Sequence, residues 1–316
     1  MAQKEMTPKE KRIWRVIFLI AILITLALIG LVRTLDAIKA LVDEYCIDVA
    51  RLPVKETPAK YGLEYQEIDV EVEPGIRLKT WYIPSQLAEP LVILVPGYEG
   101  TRETLLPGIQ FFHEVGYSTL AIDPRGQGES DGESICGSYL ASDLGKIVQF
   151  FNQKGVSKFV LFGVSLGAVG SIIAGAQNEE VVGVIADSAF ANLRQGLRHS
   201  PSCQASILFD NSLLYKLFQA FVPIYIHNAF GEFIDPTKAT DALSHVKDVR
   251  NILLIHGKND TVIPVENAYL LFEKAQKTPG IKELWIYEGD HAEGFMKHPT
   301  EYKRKVLGFI KRITEG

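Results

Sequence analysis

Lys158-Phe159-Val160-Leu161-Phe162-Gly163-Val164-Ser165-Leu166-Gly167-Ala168-Val169-Gly170 is the stretch that decides how this chain folds. Lys158 to Phe162 is a short apolar run of the kind that fills a buried strand, and an apolar helix rich in Ala and Gly follows it. Between them stands Gly163-Val164-Ser165-Leu166-Gly167, a G-x-S-x-G pattern. Such a pattern puts the serine on a strained strand-to-helix turn, where flanking glycines let neighbouring backbone come close. The five residues alone are a modest signal, and their position directly after a strand gives them weight.

A serine hydroxyl is a weak nucleophile until a base takes its proton, so an imidazole and an orienting carboxylate are expected downstream. His291 lies in Gly289-Asp290-His291, just beyond the strand-like run Glu283 to Glu288. Asp260 lies in His256-Gly257-Lys258-Asn259-Asp260, just beyond the run Asn251 to His256. The chain order Ser165, Asp260, His291 suits a nucleophile elbow. Asp187 also closes a strand and is the alternative orienting carboxylate. Asp290 adjoins His291 and reads as structural, and His256 reads as a packed, hydrogen-bonded histidine. Acyl transfer also needs donors for an oxyanion, each contributing roughly 2.7–4 kcal/mol in the transition state. The backbone N–H groups of Leu166 and of Tyr98, within Pro96-Gly97-Tyr98-Glu99-Gly100, are the candidates. The remaining histidines show no H-x-x-x-H pairing, so no metal site and no cofactor is expected.

Working outward, Gln66 to Glu73 and Ile76 to Ile83 alternate around Pro74-Gly75 and predict an antiparallel hairpin. Strand-like runs follow at 91–95, 118–122, 158–162, 181–186, 251–256 and 283–288, with helical stretches such as 138–153 and 264–276 between them. Eight strands in this order predict an α/β fold, a mostly parallel, doubly wound sheet with an antiparallel start. Ligands bind such sheets beyond the carboxyl ends of the strands, where the three candidate residues fall. The connection from Asp187 to about Lys247 is too long for a simple crossover. Leu214, Leu217, Phe218 and Phe221 within it share one helix face, which predicts a helical cap insertion at about 188–247.

At the other end, Val16 to Val32 contains no charge, and Ile13 and Trp14 lengthen the run. About 20 apolar residues at 1.5 Å each span a bilayer's hydrocarbon. Lys4, Lys9, Lys11 and Arg12 precede it, so a single-pass anchor would keep the N-terminus cytoplasmic and the larger part of the chain across the membrane. A cleaved signal peptide and a buried core helix are the competing readings, the first disfavoured by the length of the run and a poor cleavage site, the second because a core helix is rarely apolar on every face for five turns. Leu35, Ile38, Leu41, Val42, Tyr45 and Val49 continue a helical period, and Pro53 and Pro58 break it. The expected division is a tail at 1–12, a transmembrane anchor at 13–32, a helical stalk and linker at 33–60, and a catalytic domain at 61–316. With 47% hydrophobic and 22% charged residues, a large core is expected. A net charge of −5 without a basic cluster argues against a nucleic-acid partner. Cys46, Cys136 and Cys203 show neither a disulfide framework nor a metal knuckle.

Over residues 60–316 the sequence resembles the α/β-hydrolase superfamily. Asp123-Pro124-Arg125-Gly126-Gln127-Gly128-Glu129-Ser130 is similar to that superfamily's D-x-R-G-x-G-x-S turn, which implies a structural loop beside the site. Ala186-Asp187-Ser188-Ala189-Phe190 and Asp235-Pro236 resemble membrane-associated, serine-aminopeptidase-like hydrolases, including the Bem46-like proteins. The resemblance and the residues together imply a membrane-anchored serine esterase, carboxylesterase- or lipase-like, working through an acyl-enzyme on a small ester or lipid. A serine peptidase or an acyltransferase would use the same residues, and a non-catalytic binding scaffold is the reading from another class.

Overall fold

A computed structural model describes residues 7–43, 50–198, 211–231 and 233–315. One eight-stranded sheet forms the body: β1 Gln66–Glu73, β2 Ile76–Ile83, β3 Leu87–Val95, β4 Tyr117–Ile122, β5 Phe159–Val164, β6 Val181–Asp187, β7 Ile252–Gly257 and β8 Lys282–Tyr287. Their spatial order is β1-β2-β4-β3-β5-β6-β7-β8. Strand β2 is antiparallel to both neighbours, and every other adjacent pair is parallel. The doubly wound sheet with an antiparallel start is therefore present, and the predicted strands match within a few residues. Strand β3 starts earlier than predicted, because Leu87-Ala88-Glu89-Pro90 is too polar to read as a buried strand. Strand β5 runs on through Gly163 and Val164 to the edge of the serine turn.

The helices are α1 Pro8–Val42, α2 Leu106–Glu114, α3 Leu140–Asn152, α4 Leu166–Gln177, α5 Leu193–Arg198, α6 Ser212–Phe230, α7 Pro236–Ala239, α8 Ala242–His245, α9 Glu266–Ala275, α10 Gly294–Lys297 and α11 Pro299–Glu315. Side-chain alternation along the strands builds two cores. On one face Leu91, Ile93, Val95, Phe159 and Leu161 pack with α3, α4 and α9. On the other Val92, Leu94, Val160 and Phe162 pack with Phe112 of α2 and Val306 and Phe309 of α11. Both faces are covered, so the central strands are apolar throughout, as parallel strands require.

Helix α1 opens with a capping box, Thr7 and Glu10 satisfying each other's backbone N–H, with Pro8 in its first turn. It is long and apolar enough to cross a membrane over Pro8–Ala40. Its last turns pack on the body of the protein. Ile38 and Val42 are buried with Phe218, Val222 and Ile226 of α6, and with Ile135, Cys136 and Leu193. Tyr225 donates a 2.5 Å hydrogen bond to Asp43, fastening the end of α1 to α6. The predicted linker is equally bound. Arg51 donates to the carbonyls of Ser130 (2.7 Å) and Gly132, and the Lys55 N–H donates to Glu103 at 2.6 Å. Tyr45 and Val49, the last predicted stalk positions, lie outside the described residues.

Two further expectations are corrected. Cys136 is disulfide-bonded, although an odd number of cysteines at unrelated spacings suggested no pairing; Cys46 and Cys203 lie outside the described residues. The helix predicted around Leu214, Leu217, Phe218 and Phe221 exists as α6, but its buried face centres on Phe218, Val222 and Ile226. Both sides of α6 are apolar, so periodicity alone could not pick the buried one.

Candidate active site

The turn from β5 into α4 is closed by the two glycines. A Cβ at Gly163 would stand 2.3 Å from the Gly167 carbonyl oxygen, and one at Gly167 would stand 2.4 Å from those of Val95 and Pro96. Only hydrogen fits at either place, so the strand, the helix and the β3 loop press together here. Ser165 takes the strain of the reversal at φ 53° and ψ −116°. A non-glycine residue held in such a conformation costs about 1–3 kcal/mol and persists only where its surroundings impose it. The Ser165 N–H donates to the Asp187 carbonyl at 2.8 Å, which fixes the turn to the end of β6.

Asp260 and His291 come together from the loops after β7 and β8. His291 Nδ1 lies 2.7 Å from Asp260 Oδ2. Asp260 Oδ1 accepts the backbone N–H groups of Val262 (2.9 Å) and Ile263 (2.7 Å), which locks the carboxylate in a tight turn. Nε2 of His256 lies 2.8 Å from the Ile263 carbonyl oxygen and 3.2 Å from Asp260 Oδ2, so its one N–H is shared between them. His256 is thus packed and hydrogen-bonded as predicted, but its contact with Asp260 is a feature the sequence did not disclose. Burial pushes the Asp260 carboxyl upward, yet hydrogen bonds from His256, His291 and the Ile263 N–H outweigh it and hold the group below its ordinary value. Asp260 therefore stays ionised beside the imidazole.

Asp187, the alternative, sits at the same sheet edge but is engaged elsewhere. It accepts hydrogen bonds from Tyr302 (2.8 Å) and Ser188 (3.0 Å). Ser188 in turn accepts the Ala292 N–H at 3.1 Å, so the Asp187-Ser188 segment joins the serine turn to the histidine loop. Asp290 is a staple: it accepts from the N–H groups of Thr261 and His291, both at 2.7 Å. Ser188 and Ala292, like Ser165, are non-glycine residues at positive φ, so the backbone strain collects at this edge.

The two oxyanion candidates flank the serine. Leu166 begins α4, and the Pro96-Gly97-Tyr98 loop lies against the turn, where a Cβ on Gly97 would come within 3.3 Å of Ser165 Cβ. The D-x-R-G-x-G-x-S turn stands beside them as a brace. Asp123 accepts from the side chain and backbone of Arg102 and from the Glu129 N–H. Arg125 pairs with Asp143 at 2.6 Å and with Glu73 at 3.0 Å, and its guanidinium lies 3.9 Å over the Tyr139 ring. Neither Arg102 nor Asp143 carried a sequence signal, because their partners lie 21 and 18 residues away with no motif linking them. Among the described residues, no group of three or more His, Cys, Asp or Glu is placed to hold a metal ion.

The model of the family described as serine aminopeptidase, S33, a set of hydrolases, matches residues 86–251, just over half of the chain and spanning the serine turn. The chain belongs to this family. Its curated relatives include YqkD of Bacillus subtilis, an uncharacterized protein 25% identical over 261 residues, covering 77% of this chain and 78% of that protein. Among solved structures, the esterase Pf2001 of Pyrococcus furiosus superposes with a TM-score of 0.68 at 24% identity, covering 84% of this chain and 99% of that one. The α/β hydrolase GrgF of a Penicillium species superposes with a TM-score of 0.61 at 21% identity, covering 80% and 100%. At such identities these likenesses establish the shared α/β-hydrolase fold.

Proposed function

We propose that this chain is a membrane-anchored serine hydrolase that cleaves an ester-type substrate, an acyl or lipid ester, through an acyl-enzyme. The observation that carries the proposal is the strained Ser165 turn, hydrogen-bonded through Asp187 and Ser188 to a loop on which His291 pairs with buried Asp260. With Nδ1 of His291 committed to Asp260, Nε2 is the nitrogen available for proton transfer. His291 takes the Ser165 proton as Oγ attacks the carbonyl carbon, and the N–H groups of Tyr98 and Leu166 receive the oxyanion. His291 then protonates the departing alcohol oxygen as the ester C–O bond breaks, and water, deprotonated by His291, releases the acid from the acyl-serine.

Three observations support the anchored, extracytoplasmic placement. Helix α1 is long and apolar enough to span, basic residues precede it, and Cys136 is disulfide-bonded, which suits an oxidising compartment. The apolar α6 favours acyl chains over peptides. The description of the family favours a second reading, an aminopeptidase, with the same serine chemistry on an amide.

The test is labelling of membranes with a fluorophosphonate probe, followed by p-nitrophenyl esters of rising chain length and aminoacyl arylamides. Labelling abolished by Ser165→Ala, with turnover of esters, is expected. Labelling retained by Ser165→Ala would sink the serine mechanism, and activity confined to arylamides would favour the peptidase.

A further inference from the structure

Helix α6 is apolar on two opposite sides. At 100° per residue, Phe218, Val222 and Ile226 share the side that packs on Ile38, Val42 and Ile135. Leu213, Ala220 and Ile224 form a stripe about 180° away and are exposed, while Leu217, beside them, is only partly exposed because it also packs against the buried cluster. Along this stripe Leu213 is 66% exposed and Ile224 53%, and Phe233, just past the helix, is 73% exposed. Lys216 is the helix's one side chain with a full charge, and it lies at the margin of the stripe with Asn228 on the other flank. An apolar stripe of this kind facing water is unfavourable, and an apolar surface that a fold keeps exposed marks a place of contact.

The position of α6 relative to α1 names the contact. Helix α1 is continuous from Pro8 to Val42, so its apolar span and its buried last turns share one axis. Ile38 follows Val32 by six residues, about 9 Å further along the helix. The headgroup zone of one leaflet is about 5–8 Å deep. Ile38 thus stands about 1–4 Å beyond that zone, and an α-helix with its side chains is about 10–12 Å across, so α6, docked on Ile38 and Val42 and pinned through Tyr225 to Asp43, stands at the outer edge of the headgroups with side chains long enough to reach into them. Lys39, paired with Asp43 at 3.2 Å, adds a cation at that level.

Resting on the anchored reading above, we propose that α6 is an interfacial helix that lies on the bilayer with Leu213, Ala220, Ile224 and Phe233 among the lipids. Its occupant is the lipid surface of the membrane that α1 spans. The docked helix is continuous with the catalytic turn: its buried side meets Ile135 and Cys136, and the adjacent Gly137 abuts the side chain of Leu166, next to Ser165. An acyl ester would enter the site from the leaflet along α6 rather than through water.

The full chain, reconstituted in phosphatidylethanolamine/phosphatidylglycerol vesicles, tests this with the photocrosslinker benzoylphenylalanine in place of Ile24, Ile224 or Asn152. Lipid adducts at 24 and 224, and none at 152 on the far edge of the body, are expected. An adduct at 24 with none at 224, or with a second copy of the chain attached at 224, leaves the anchor standing and overturns the docking. Silence at both 24 and 224 overturns the anchored reading and this inference with it. A second measurement uses Leu213→Glu with Ile224→Glu. Turnover of a long-chain ester embedded in the vesicles is expected to fall roughly tenfold, with soluble p-nitrophenyl acetate unchanged. A vesicle rate that holds, or that falls in step with the acetate rate, overturns the proposal.

Discussion

Gly167→Ala is predicted to disable the site more than the fold, and the structure supplies the magnitude. The new Cβ would stand 2.4 Å from the carbonyl oxygens of Val95 and Pro96, against about 3.4 Å for ordinary contact, so something must move by about 1 Å. The obstacle is backbone on both sides, with no side chain to swing away. The segment that gives is the start of the Pro96-Gly97-Tyr98 loop, which carries one of the two proposed oxyanion donors. Misplacing reacting groups by 1 Å costs about 10²-fold, a barrier change of about 2.7 kcal/mol. Overpacking costs about 1–3 kcal/mol of stability.

Gly170→Ala, one turn further along α4, is the matched control. Its Cβ would meet Cγ of the buried Leu140 at 2.5 Å, an obstacle of side chain rather than backbone, so its cost falls on packing. The assay is kcat/KM on a short p-nitrophenyl ester beside the thermal midpoint of each variant in detergent. A loss of about 10²-fold for Gly167→Ala, with Gly170→Ala within about threefold of the parent, is expected. Equal kcat/KM for the parent and Gly167→Ala would refute the reasoning, because the β3 loop would then not depend on that hydrogen.

Three further outcomes follow from the packing. His256→Ala removes an N–H shared between the Ile263 carbonyl and the ionised Asp260 carboxylate and is expected to lower stability by roughly 2 kcal/mol and kcat more than KM; an unchanged denaturation midpoint would contradict this. Arg125→Ala leaves Asp143 buried without its cation and is expected to cost about 3–5 kcal/mol in chemical denaturation, with kcat/KM per folded molecule preserved. Because the folded Asp260 carboxyl lies below its unfolded value of about 3.9, its contribution to stability is present above that pH and lost as pH falls toward the lower folded value. The stability gap between the parent and Asp260→Asn should therefore narrow below about pH 4, and a gap that widened there would show the opposite shift.

What could be read from the sequence was what local pattern determines. Apolar runs of five or six residues marked the central strands, and Ser165, Asp260 and His291 stood out because each directly follows such a run. What stayed hidden was pairing across long distances. Nothing near Ile38 announces Phe218 or Val222, and nothing near Asp123 announces Arg102. The second imidazole on Asp260 escaped for a different reason: His256 ends a buried strand, where a histidine is usually just a packed residue. Asp187 and Asp260 were equivalent as strand-end carboxylates, and only the partners of Asp187, Tyr302 and Ser188, separate them.

The same long-range pairing changes what the N-terminal region contributes. A flexible connector of ten residues would leave a tethered domain free to roam over about 16–19 Å. Here Ile38 and Val42 are fully buried against α6, at about 1.5–3 kcal/mol each, and Arg51 and Lys55 bind the following segment to the loops beside the site. Both attachments converge on the face that carries Ser165: one through α6 and the Cys136 turn to Leu166, the other through Ala50 and Glu99 to the Pro96-Gly97-Tyr98 loop. If α1 spans a bilayer, the serine is thereby held at one height and one orientation above it. Cutting the chain after residue 60 to make a soluble enzyme would then do more than release it from the membrane, since it would uncover α6 on its inner side and loosen the loop that carries the proposed Tyr98 donor.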